Sequence, residues 1–324
     1  MTTLRYPVPC GSEASTFFAK RRSMSASRQS LSISALIALF FLLVSCASGQ
    51  QASERVSLWK IKRGEAVVYL LGSVHALTPE AYPLPNSMER AFKESSQTVF
   101  EVDLIQANEE VISKLVRELG FYHSSRTLQT ELSEDTLKLL KSHLAEKAIQ
   151  FEAVQTMKPW FLSLKLAMEE LASLEYETEL GIDRYFQLKA RSMGKPVMQL
   201  ESISGQLQLL ASDSPDIQEL SLRAGIEESS KAAQQLATLV DAWRIGDADE
   251  MWRVAVGNST YPALDAQIEK LIDNRNARMA KKIAEYLQSK QTTLVVVGAL
   301  HMGGERGILN LMSADNTIEQ MGPE

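Results

Sequence analysis

Cysteine is almost missing from this chain of 324 residues: there are two, Cys10 and Cys46, both upstream of every segment that looks folded. That excludes a disulfide framework and a thiolate metal site, so any metal must be held by histidine and carboxylate. An excess of positive charge is missing too. The chain has 34 Lys and Arg against 40 Asp and Glu, a formal net charge of -6, whereas neutralising nucleic-acid phosphates needs the opposite balance. No nucleic-acid partner is expected. Histidine is scarce, at His75, His123, His143 and His301 alone. The longest apolar run without charge, residues 31–44, would cover about 21 Å as a helix, short of the roughly 30 Å hydrocarbon core of a membrane. Neither an internal repeat nor a low-complexity tract occurs. What is present is 45% hydrophobic and 23% charged, the composition of a globular protein with a sizeable core.

Residues 1–45 read as an export signal. Lys20, Arg21, Arg22 and Arg28 precede the apolar run, which stops at Ser45-Cys46-Ala47-Ser48-Gly49, the basic, apolar and small-residue order of a signal peptide. Leu43-Val44-Ser45-Cys46 looks like a lipobox, in which Cys46 is acylated and becomes the first mature residue; ordinary cleavage near Ala47 or Gly49 is the alternative. Met24 is an alternative start that leaves a compact basic region before the run. Residues 46–54, small and polar, suit a lipid-anchored tether, and 55–324 then form a single domain. The expected location is the bacterial cell envelope, facing the periplasm and held by lipid at Cys46, at the outer membrane.

Within that domain, residues 57–61, 66–71, 98–104, 196–200 and 293–300 have the β-branched, apolar character of strands. Most of the rest repeats at three and four. Leu137, Leu140, Leu144 and Ala148 share one stripe behind the N-cap candidate Ser133, and Leu236, Leu239, Val240 and Trp243 share another that Gly246 ends. The spacing predicts an α/β fold: a central mixed sheet formed by N- and C-terminal strands, with a large, mostly helical insertion. The near-continuous run at 293–297 suits a strand covered on both faces.

Two histidines share a context. Gly72-Ser73-Val74-His75 and Gly298-Ala299-Leu300-His301 each close an apolar strand, and ligands in open α/β sheets bind beyond such carboxyl ends. The pair is therefore expected in one site, although 226 positions separate its members. Alternation along Phe100-Glu101-Val102-Asp103 puts Glu101 and Asp103 on one face. With the histidines they offer two imidazoles and one or two carboxylates, a set for Zn, Mn, Co or Fe. Glu101 is the better ligand candidate, since Asp103 stands where a helix cap would. Glu201, also at a strand end, is read either as general base or as a carboxylate favouring the next helix's dipole. Arg275 falls on the apolar stripe of Ile268, Ile272, Met279, Ile283 and Tyr286, so it needs a carboxylate, Asp183 or Glu201, or an anionic substrate group. Glu305, four residues past His301, could support it. His143 is read as a surface residue, and His123 is given no role.

Eight patches in order resemble the TraB/PrgY/GumN family, to which the Tiki metalloproteases belong. They are Leu58-Trp59-Lys60-Ile61, Tyr69 through His75, Glu101-Val102-Asp103, Lys158-Pro159-Trp160, Gly181-Ile182-Asp183, Leu200-Glu201-Ser202 with Gln206, Arg275-Asn276, and Val297 through His301 with Gly304 and Gly307. The resemblance implies an α/β fold shared with ChaN-like and erythromycin-esterase-like proteins. It also implies a metal-dependent hydrolase, peptidase-like as in the Tiki branch, with His75, Glu101 and His301 as metal candidates; in such a mechanism Glu201 or Asp103 takes the proton of water and Arg275 steadies negative charge. A divalent metal, Mn, Co or Zn, and a peptide or small amide substrate follow. The alternatives are a metal-free hydrolase using His75 as base and a non-catalytic peptide-, metal- or haem-binding lipoprotein.

Overall fold

The run Thr293–Gly298 is buried at every position, because alternate side chains enter two different cores. Leu294 and Val296 pack with Tyr69, Leu71, Phe92, Phe100, Phe186 and Trp243 on one face of the sheet, while Val295 and Val297 pack with Val68, Leu70, Val99, Met279 and Ile283 on the other. Burying each such side chain contributes roughly 1.5–3 kcal/mol. The computed structural model describes residues 55–256 and 261–324. The expected signal peptide at 1–45, Cys46 and the tether at 46–54 lie outside these residues.

The strands are β1 (Leu58–Arg63), β2 (Ala66–Ser73), β3 (Gln97–Phe100), β4 (Val197–Gln199), β5 (Thr293–Gly298) and β6 (Thr317–Gln320), forming one six-stranded sheet in the order β4-β3-β5-β2-β1-β6. β1 and β2 make a hairpin, turning at Gly64 with φ +59. The pairs β4/β3, β3/β5 and β5/β2 are parallel and β2/β1 and β1/β6 antiparallel, so the sheet is mixed as expected. The helices in chain order are α1 (Asn86–Glu94), α2 (Glu109–Gly120), α3 (Leu128–Glu131), α4 (Glu134–Glu146), α5 (Phe151–Val154), α6 (Pro159–Ser173), α7 (Ile182–Ser192), α8 (Ile203–Leu210), α9 (Pro215–Glu228), α10 (Ala232–Arg244), α11 (Ala248–Val256), α12 (Asp265–Ile268), α13 (Asn274–Tyr286) and α14 (Ile308–Ser313). A π-helical turn, Glu269–Asp273, joins α12 to α13. The insertion has its own core of Ile112, Leu128, Leu140, Phe161, Leu162, Leu207 and Leu222. Among the described residues no helix is long and apolar enough to cross a membrane.

Three expectations are corrected. β6 was not foreseen; it is a four-residue edge strand, Thr317-Ile318-Glu319-Gln320, that alternates between exposed and half-buried positions and so lacks an apolar run. β3 ends at Phe100 rather than at 104, since the chain bends after it. His143 is not at the surface: it is 8% exposed, beside Ser163, Leu166 and Leu222 of α6 and α9.

A candidate active site at the strand ends

Because β2, β3, β4 and β5 run parallel as a group, their carboxyl ends lie along one edge of the sheet, and each leads directly to a polar side chain. β2 leads to His75, β3 to Glu101, β4 to Glu201 and β5 to His301. Ser73 stands opposite Gly298 in the β2/β5 register, which makes the two Gly-x-x-His segments neighbours. Glu201 N donates to Glu101 O at 2.8 Å just beyond the last β3/β4 pair. The paired glycines act by close approach. A Cβ on Gly72 would meet Ser57 Oγ at 2.7 Å, and one on Gly298 would meet Glu101 Oε2 at 3.3 Å, His301 Cδ2 at 3.5 Å and His75 Nε2 at 3.8 Å. Gly298 therefore opens a small space that the carboxylate and both imidazoles border.

Each histidine is oriented from behind. His75 Nδ1 lies 3.2 Å from Asp183 Oδ1. Asp183 reaches it because α7 begins hard against the His75 backbone: Ile182 N donates to Val74 O at 3.0 Å, and a Cβ on Gly181 would stand 2.4 Å from His75 O. Only glycine permits that approach. His301 Nδ1 lies 2.6 Å from Asn276 Oδ1. Asn276 Nδ2 donates to Arg306 O at 2.9 Å, which fixes Oδ1 as the acceptor and places the proton on Nδ1. The Nε2 of His301 then carries a lone pair 3.9 Å from Glu101 Oε2.

Glu101 accepts from Gly298 N at 3.0 Å and from Gln206 Nε2 at 2.7 Å, and Arg275 Nη2 bonds its Oε1. Arg275 also donates through Nε at 2.9 Å and Nη2 at 2.8 Å to Glu201 Oε2, and through Nη1 at 3.0 Å to Leu271 O in the π-helical turn. The expected carboxylate partner of Arg275 is thus Glu201, together with Glu101. Both are as buried as the guanidinium, so the three form a charge-assisted network out of bulk water.

The fields differ sharply across the cluster. Burial alone would push the His75 pKa down, but Asp183, helped by Glu101, lifts it to about 9. Burial and the nearby Arg275 push His301 down to about 3. Burial would raise Glu101, yet Arg275, His301, His75 and the Gly298 N–H hold it well below the usual carboxylate range. Glu101 and Glu201 keep Arg275 charged despite its burial.

Of the residues anticipated from sequence, His75, Glu101, His301, Glu201 and Arg275 come together. Asp103 does not: it lies beyond the bend, its carboxylate bonds Arg191 at 2.5 Å, and Oδ1 accepts from Ile105 N and Gln106 N. Its sharing a face with Glu101 fails because the strand stops at Phe100, leaving it to cap the following turn. Glu305 is exposed. Asp183, read from sequence as a possible partner of Arg275, stands behind His75 instead, while Asn276 and Gln206 were assigned no part in the site; the position of Asn276 next to Arg275 was the available signal.

Among the described residues no group of three or more His, Cys, Asp or Glu stands close enough to form a ready-made metal site. The donor chemistry nevertheless fits a divalent cation. His301 has Nδ1 committed and Nε2 unprotonated, His75 has a carboxylate behind Nδ1, and Glu101 supplies an anionic oxygen beside the space at Gly298. Backing of this kind is what metal-binding imidazoles have.

Residues 57–320 match the model of the TraB/PrgY/gumN family. The chain is similar to the uncharacterised protein YbaP of Escherichia coli K12, 22% identical over 77% of this chain and 89% of that one. It is likewise 22% identical to YbaP of Shigella flexneri, over 75% of this chain and 87% of that one. To the metalloprotease TIKI2 of Danio rerio it is 24% identical, over 82% of this chain but 61% of the fish protein. No solved structure matches.

Proposed function

The chain belongs to the TraB/PrgY/gumN family, and from that premise we propose that it is an exported, metal-dependent hydrolase of peptide or other amide bonds in the bacterial cell envelope, anchored by lipid at Cys46. The observation that carries this reading is the pair of backed imidazoles facing Glu101 across the space at Gly298. The similarity to a protein named as a metalloprotease supports it. His75, His301 and Glu101 would hold the metal, which when bound polarises a carbonyl and makes water acidic. Two imidazoles and a carboxylate accept Mn, Co or Zn alike. Arg275 balances Glu101 and Glu201 and steadies negative charge that develops on the scissile carbonyl. Glu201 takes the proton of the attacking water through Oε1, since Oε2 is occupied by Arg275 and Gln206.

Elemental analysis tests the reading: one metal per chain is expected in the wild type and none in His75→Ala or His301→Ala. Chelation should abolish hydrolysis of a peptide library, with Mn, Co or Zn restoring it. Full turnover in chelator, rising as pH passes about 9 where His75 loses its proton, would move the assignment to a second reading, favoured by the His75–Asp183 pair, in which His75 activates water without metal. The anchoring is tested by Cys46→Ser, which should release the protein into the soluble fraction; unchanged membrane association would overturn it.

A further inference from the structure

A cleft of about 240 Å³ lies between α8 and α13, bordered by Leu200, Glu201, Gln206, Leu209, Arg278 and Lys282. Its inner wall belongs to the candidate active site, because Gln206 donates to both Glu101 and Glu201. The other groups are not explained by the catalytic cluster. Arg278 and Lys282 stand four residues apart on α13, where like charges repel. Lys282 has no carboxylate partner among the described residues; its Nζ bonds Leu200 O. Arg278 Nη2 is 3.8 Å from Glu201 Oε1, a loose pair beyond hydrogen-bond reach. The cleft therefore has two exposed cations at its mouth, and of its apolar residues Leu209 alone is partly accessible, Leu200 and Met279 being buried in the core beneath it. Its volume, roughly the room of eight waters, suits one amino-acid residue and not a length of chain.

Resting on the hydrolase reading above, we propose that this cleft receives the carboxyl-terminal residue of a peptide substrate. Arg278 and Lys282 pair with the terminal carboxylate, and the terminal side chain lies along Leu209. A bond held next to this cleft lies beside the Glu201–Gln206 wall, so the enzyme removes or trims residues at a free carboxyl end.

The test uses a matched pair of peptides, N-acetyl-Ala-Ala-Leu as the free acid and as its amide, titrated calorimetrically into the full chain carrying His75→Ala and into wild type with chelator. The acid is expected to bind at least tenfold more tightly than the amide in both. That preference should collapse to within threefold when Arg278→Gln and Lys282→Gln are added, with the melting temperature unchanged. Equal affinity for acid and amide, binding of neither, or a preference that survives the double replacement overturns the proposal. Hydrolysis by the metal-loaded wild type is read separately. Selective binding without hydrolysis defeats the hydrolase reading and leaves the subsite, while equal cleavage of acid and amide defeats the subsite and leaves the hydrolase.

Discussion

At the end of β2, His75 has the carboxylate of Asp183 behind it, and its pKa is lifted to about 9. The neighbouring strand β5 leads to His301, which has the amide of Asn276 behind it and Arg275 nearby, and whose pKa falls to about 3. The two ends have the same Gly-x-x-His pattern and meet in one cluster, yet near neutral pH, without a cation, one imidazole is charged and the other is not. The strands decide where each ring stands. The helices α7 and α13, which supply the backing residues, decide its charge.

The largest expected effect comes from removing the cation that holds the contrast in place. Arg275 is buried between Glu101 and Glu201, and Arg275→Ala leaves two buried carboxylates uncompensated, which costs about 3–5 kcal/mol. Urea denaturation should show that loss. A change under 1 kcal/mol would mean that the network contributes little to folding.

Exchanging the backing residues should reverse the contrast. In Asp183→Asn, burial acts on His75 without the carboxylate, so its pKa should drop from about 9 to below 6.5. In Asn276→Asp, His301 should rise from about 3. Imidazole proton shifts followed by NMR against pH, in metal-stripped protein, read both. Stability gives an independent sign. A folded pKa above the unfolded 6.5 means that the His75 contribution is full below pH 6.5 and is lost as pH rises through 9. That slope, on the order of 3 kcal/mol at most, should vanish in Asp183→Asn; its persistence would assign it to another group.

Much of this arrangement was legible in the sequence. The alternating apolar runs of β2 and β5 are local patterns, and a strand end places His75 and His301 whatever follows. Glu101 was legible for the same reason. The backing residues were not, because Asp183 lies 108 positions from His75 and only the packing of α7 brings them together. Asp103 misled because Glu101-Val102-Asp103 alternates like a strand, while the bend after Phe100 is set by Arg191 and Gln199, residues distant in sequence that bond Asp103 side chain and backbone. His143 misled because polar residues stand close to it along the chain, whereas on α4 it falls on the same buried stripe as Thr136, Leu140 and Leu144.

The smallest expected change in stability separates the two glycines. Alanine at Gly72 would bring Cβ to 2.7 Å from Ser57 Oγ and 3.2 Å from Ala299 Cβ, an overpacked contact inside the sheet that costs about 1–3 kcal/mol. Alanine at Gly298 meets its nearest side-chain atom only at 3.3 Å, an approach that a small shift relieves, so the cost should stay under about 1 kcal/mol. That shift, however, moves Glu101 Oε2 and fills the space the two imidazoles border. Gly298→Ala should therefore keep its melting temperature within about 5 °C while metal content and hydrolysis fall about ten- to a hundredfold. Gly72→Ala should melt earlier and keep its metal. If both variants lose stability alike and both retain metal, the space at Gly298 is packing geometry alone, and the likeness of the two strand ends extends to their glycines.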